Sequence, residues 1–253
     1  MKLHLQKIKQ LYGDMKLESK FTLVLILAVT IPVILMGCFF YGKLYEMVVS
    51  YTIRQEQDRS SETAPLIEES IQKVLDVSEE ISSLDFYQTL FKNAITGSFT
   101  DLADSQDAAS FSRKIDQLID DTPVTNVKIY LEVPKDSTSD MNALLDSGNL
   151  KDTFLPLSQV RGTYWYGIFR GSRVSQLFCP SFYLGTKEQK AYGDQAYITH
   201  ASVIYDSGTY DAYMAVYYSG DDFQQILSGN LTLDGSVSYI MNERNNLVSA
   251  SSN

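Results

Sequence analysis

The stretch FTLVLILAVTIPVILMGCFFY, residues 21–41, constrains this chain more than any other, because no charge occurs between Lys20 and Lys43. As a helix, about 21 residues rise about 32 Å, which matches a hydrocarbon core of about 30 Å. Pro32 would break a helix in water but is tolerated as a kink in lipid. Lys2, Lys7, Lys9, Lys16 and Lys20 lie on the N-terminal side. The positive-inside rule therefore places residues 1–20 in the cytoplasm and everything after about residue 43 outside. A cleaved signal peptide would carry a shorter apolar region and a small-x-small cleavage site. LMGC (Leu35 to Cys38) resembles a lipobox, but apolar Phe39, Phe40 and Tyr41 follow the cysteine, and a head with Asp14 and Glu18 precedes the block. The block reads as a retained transmembrane helix, 21–42.

Charge supports that division. Residues 1–43 carry six lysines against two acidic residues, whereas residues 44–253 carry 15 basic against 29 acidic ones. The net charge of −10 leaves no basic stripe for phosphate, so nucleic acid is not an expected partner. With 44% hydrophobic and 12% aromatic residues, the outer part has ample material for a packed core. Cys38 lies in the apolar block and Cys179 in the outer part, so the two cannot pair within one chain. His4 and His200 are isolated and read as surface or packing residues. GxSxG, P-loop, GxGxxG and HExxH patterns do not occur. No catalytic residue, cofactor or metal site is expected.

The outer part changes period along its length. Residues 43–95 read as a stalk helix, with Ile67, Ile71, Val74, Ser78, Ile81 and Leu84 in one stripe; Pro65, after Ser60, Ser61 and Thr63, predicts a break or bend. Residues 96–123 form a polar connection with a shorter helix whose inward face is Phe111, Ile115, Leu118 and Ile119. NVKIYLEV (126–133) alternates as a strand, and 134–157 reads as a long covering loop with one helical turn at Met141–Leu145. Three more strands are predicted at 163–169, 195–206 and 210–219, the last two joined by a turn at Ser207-Gly208-Thr209. A helix at 221–229 closes an α+β lobe built on an antiparallel sheet of these strands. VSYIMNERNNLVSAS then forms a further strand–turn–strand bending at Asn245-Asn246.

The order of these parts, with MVVSYTIRQEQ (47–57), the WY strand, SGTYDAYMAVYYS and the closing hairpin, resembles the double-Cache sensor region of YesM-type sensor histidine kinases from the Firmicutes. The closing segment is similar to the Ile-x-Asp-x-x-Gly-x-Ile-x-x-Ser hairpin of Cache lobes, with Asn242 in place of Asp and Asn246 in place of Gly. The resemblance implies an α+β chain: an N-terminal transmembrane helix, a stalk helix, an antiparallel PAS-like (Cache) sheet lobe at 96–229, and the start of a second lobe at 230–253. It implies a truncated sensory front half that would lack its second span, HAMP linker and kinase. Such a region would be an extracytoplasmic sensor in the cell membrane. It would bind a small organic solute, act as a homodimer, and reach a kinase module and response regulator through the missing part. Alternatives are the Cache front of a chemoreceptor or cyclase, or an interaction or dimerisation domain that binds no small ligand.

RGTYWYGIF (161–169) carries the candidate site. As a strand it would place Arg161, Thr163, Trp165 and Phe169 on one face and Tyr164, Tyr166 and Ile168 on the other. A guanidinium on the face of Trp165, the only tryptophan, must find a carboxylate, phosphate or water. Amino-acid-sensing Cache domains resemble this stretch in carrying Arg-x-Trp-Tyr; here Arg161 precedes Trp165 by four residues, so the ligand class stays open. Tyr183, Tyr197 and Asp206, with Phe182 and Tyr205, are further candidate walls. Eleven of the 17 tyrosines fall between 164 and 239, which suits an aromatic pocket or plain strand preference.

Overall fold

The computed structural model describes residues 16–95, 97–134, 140–206, 208–229, 237–241, 245 and 247–251. Most of the expected cytoplasmic segment, part of the loop at 134–157, Ser207, and Asn242 and Asn246 lie outside them. The chain divides into two compact units, 1–59 and 60–253.

Helix α1 spans Leu17–Ser83. In the first unit its large apolar side chains from Phe21 to Ile53 are all exposed, and this helix is long and apolar enough to cross a membrane. The helix passes Pro32 and Pro65 without ending, contrary to the predicted break near residue 65. Ser61 and Pro65 are both exposed. The predicted stripe is real over the last turns, where Val74, Val77, Ser78 and Ile81 are buried.

The second unit is an α+β lobe. After Ser83 the chain bends at Leu84 and forms α2 (Asp85–Phe91), β1 (Ala94–Ile95), α3 (Phe99–Ala103) and α4 (Gln106–Ile119). Ser98 and Ser105 cap the last two helices, their hydroxyls accepting backbone N–H groups. Next come β2 (Val124–Leu131), a 3-10 turn running into α5 (Ala143–Asp146), β3 (Phe154–Pro156), α6 (Tyr164–Gly171), β4 (Gln176–Cys179) and α7 (Thr186–Ala191). The long strands β5 (Gln195–Tyr205) and β6 (Gly208–Tyr218), helix α8 (Gly220–Gly229), and the pair β7 (Tyr239–Met241) and β8 (Leu247–Ala250) complete the described chain.

The main sheet has six strands in the order β1-β5-β6-β2-β3, with β4 also paired to β5. It is mixed, not antiparallel as expected: β1 runs parallel to β5, and β3 parallel to β2. Both departures are short strands from segments without alternation, so only their tertiary neighbours make them strands. The expected strand at 163–169 is helix α6. The β5–β6 register closes at Tyr205 opposite Gly208, so Gly208 and Thr209 already belong to β6. Asp206 turns the chain at φ 47, a left-handed conformation that Asp tolerates better than most residues.

Alternation along the central strands builds two cores. Val127, Ile129, Leu131, Val203, Met214 and Val216 face α1, α2 and α4, meeting Val74, Ile81, Leu90 and Phe111. Tyr130, Ala196, Ile198, Tyr213, Ala215 and Tyr217 face α6 and α7. Each large apolar side chain so buried contributes about 2 kcal/mol. Two covered faces explain why both sets of alternate residues in β6 are apolar or aromatic from Ala212 to Tyr218.

Candidate functional site

Helix α6 starts where the Thr163 hydroxyl accepts the N–H of Tyr166 at 3.4 Å. Its buried residues are Trp165, Ile168 and Phe169, spaced as one helical face. Trp165 has no exposed surface, and Tyr130, Tyr166, Phe169 and Tyr213 surround its ring at centroid distances of 5.5–6.0 Å. Its indole N–H donates to Glu188 Oε1 at 3.2 Å, and the Tyr217 hydroxyl donates to the same oxygen at 2.6 Å. Since Tyr217 spends its proton there, Tyr130 is the donor in the 2.7 Å contact between the two phenols. Glu188 Oε2 accepts the N–H of Gly185 at 2.7 Å, so the carboxylate also caps its own helix. Burial foremost, with Glu188 close by, pushes the Tyr130 and Tyr217 phenols far above their ordinary value.

This enclosure is a packed, satisfied polar cluster. The candidate residues from sequence divide around it. Trp165 and Tyr183 are buried in this core, and Tyr166 packs against it. Tyr164 is exposed and rests on Tyr183 at 4.8 Å. Arg161 lies in the turn before α6, not on the Trp165 face; it pairs with Glu132 at 3.1 Å in a half-exposed ion pair. The expected strand face fails because aromatics with high strand preference occupy helix positions, where residues three and four apart meet. Tyr197 points to the opposite core, where its hydroxyl donates to Gln176 Oε1 at 2.8 Å. Asp206 sits at the far hairpin turn, Phe182 is exposed, and Tyr205 packs edge-on against Phe99. Glu188, which organises the enclosure, is invisible in sequence except as the third residue of a helix starting after Gly185.

The open space lies on the other face. A cavity of about 550 Å3 is walled by Leu75, Ser78, Glu79, Ser82 and Ser83 of α1, by Tyr87, Gln88, Phe91 and Lys92, and by Gln176 with residues 199–202 of β5. Side chains of odd-numbered β5 residues form its floor, because they face α1. The Thr199 hydroxyl oxygen is buried and has no hydrogen-bond partner among the described residues. Burial raises the Tyr87 phenol, an effect partly offset by its hydrogen bond with Ser82. Burial and then the Glu79 carboxylate raise that of Tyr197. Glu79 and Lys92 are exposed at the rim.

A second cavity, of about 410 Å3, adjoins the first through Leu75, Gln176 and Tyr197. Its remaining walls are apolar, among them Ile71, Leu177, Phe178, Phe223, Ile240 and Val248. Among the described residues no group of three or more His, Cys, Asp or Glu could hold a metal ion. The polar cavity offers hydroxyls, amides, an imidazole and one carboxylate and one ammonium. No family model, curated protein or solved structure matches the chain.

Proposed function

We propose that the chain is the extracytoplasmic, ligand-sensing input region of a membrane-bound sensor histidine kinase, and that the solute occupies the polar cavity between α1 and β5. One observation carries this reading: the cavity wall includes Ser78, Glu79 and Ser82 of α1, the same helix whose Leu17–Ser83 span holds the apolar block. A solute held against those turns biases the helix to the extent that it binds two packings of the lobe unequally. The Trp165 cluster serves as the rigid backing of the sheet and not as the binding site.

The full packing around Trp165 favours a second reading, in which the lobe docks on a partner protein and binds no solute. One experiment separates the two. The whole chain in detergent micelles is titrated calorimetrically with amino acids, small peptides, sugars and carboxylates, and the titrations are repeated on Ala201→Trp, which fills the cavity. The sensing reading expects heat with at least one class in the natural chain and none in the variant. Silence across the panel removes it.

A further inference from the structure

The cavity lies against a gap in the sheet. Strand β6 pairs with β5 along its whole length, Gln195 to Tyr205. The other edge of β5 is covered by antiparallel β4 over 196–199 and by parallel β1 over 204–205. Between them, on this edge, no strand among the described residues pairs with 200–203. The His200 N–H donates to Ser175 O at 2.8 Å, which fixes the direction of alternate backbone groups. Two residues on, the N–H and C=O of Ser202 face the same way, where β4 has ended and β1 has not begun. Beyond His200 the gap covers 201–203, about 10 Å at about 3.3 Å per residue, room for two or three extended residues.

Three independent features describe the occupant. The free edge at Ser202 offers one donor and one acceptor in line, the pair that a peptide unit satisfies and a sugar or simple carboxylate does not. The orphaned Thr199 hydroxyl lies beside that edge. The rim charges are ordered along it. Glu79 and Tyr197 share the cavity wall at the β4 end, where that carboxylate acts on the phenol, while Lys92 precedes parallel β1 by two residues and so stands near the level of Ser202, on the β1 side of Tyr197.

We propose that the sensed solute is a free di- or tripeptide that fills the gap between β4 and β1 by pairing with the Ser202 backbone. Its ammonium lies toward Glu79 and its carboxylate toward Lys92, so it runs parallel to β5, as β1 does. This rests on the sensing reading above and names its ligand class. A free amino acid lacks the peptide unit that pairs with the Ser202 backbone, and end-blocked peptides lose one of the two charges.

The test is calorimetry of the full chain in micelles with trialanine, N-acetyl-trialanine, trialanine amide, alanine, glucose and citrate. Trialanine binds. Acetylation weakens it at least about tenfold in the natural chain but less than about twofold in Glu79→Gln, and amidation behaves likewise against Lys92→Met. Both side chains are at the rim, so neither variant threatens folding. Ser202→Pro removes the edge N–H and abolishes trialanine binding while the Trp165 fluorescence and unfolding midpoint stay unchanged. Blocked peptides binding as tightly as trialanine, or full affinity in both rim variants, overturns the proposal. If glucose, citrate or alanine alone binds, and Thr199→Val weakens it, the peptide class is wrong and the sensing reading stands. If nothing binds, both fall.

Discussion

Glu188 Oε1 accepts two buried donors from distant parts of the chain, the Tyr217 hydroxyl at 2.6 Å and the Trp165 indole N–H at 3.2 Å. One carboxylate thus ties β6, α6 and α7 together on the face of the sheet away from α1. A partner shared in this way makes the cluster sensitive to any change at its centre.

Glu188→Ala leaves the Trp165 indole, the Tyr217 hydroxyl and the Gly185 amide without an acceptor. Each buried donor so stranded costs about 1–3 kcal/mol, and a loss of about 4 kcal/mol is expected. Glu188→Gln keeps a carbonyl acceptor and should lose about half as much. Urea unfolding followed by the fluorescence of Trp165 measures both; equal stability of the alanine variant and the natural chain would refute the shared role.

Alkaline pH should unfold the lobe cooperatively. Burial raises Tyr130, Tyr217 and Tyr218 above their ordinary 10.0 in the folded chain, whereas in the unfolded chain they ionise near 10.0. Above that pH the unfolded state binds fewer protons than the folded one, so stability is intact below about 10 and falls as pH rises. Each phenol contributes about 1.4 kcal/mol of loss per pH unit. The phenolate absorbance should rise in one step together with the change in Trp165 emission. A gradual rise spread over several pH units, with unchanged emission, would show the phenols to be accessible.

Cys179 should resist alkylation until the lobe opens. Burial, reinforced by the negative charge of Glu188, pushes its thiol well above the ordinary value, and the residue is 1% exposed. In a Cys38→Ser background, iodoacetamide at pH 8 should label the folded chain at least about a hundredfold more slowly than the urea-unfolded chain. Equal rates would contradict the packing around β4.

Arg161→Ala should change little. Its ion pair with Glu132 is half exposed, and such pairs are worth about 0–1 kcal/mol. Unfolding midpoints should agree with those of the natural chain, and solute affinity should be unaltered. A clear affinity loss would return the binding site to the neighbourhood of α6.

Much of the fold was legible in sequence where one period runs for several turns or pleats. β5 and β6 announce themselves by long aromatic and β-branched runs, and the stripe from Ile67 to Ile81 marks the packed face of α1. The error at α6 came from composition. Trp165 and its aromatic neighbours have high strand preference, whereas Thr163 as a cap and the 165/168/169 spacing both specify helix. Glu188 was illegible because nothing within TKEQKA marks its one acidic residue for burial, which is decided by Trp165 and Tyr217 far away in the chain. The cavity was illegible for a different reason: it is bounded by where β4 stops and β1 starts, and two-residue β1 has no pattern of its own. Of the expected pocket walls only Tyr197 borders it.

The borders of the main sheet are made of fragments: two residues in β1, four in β4 and three in β3, around the three long inner strands. Interrupted borders of this kind give a foreign chain nowhere to grow. Sheet-to-sheet joining, the first step toward fibrils, needs an uninterrupted run of free backbone groups, and here any run ends within a few residues. A lobe rich in tyrosine and strand-forming residues can therefore keep short stretches of edge unpaired without becoming a seed for aggregation.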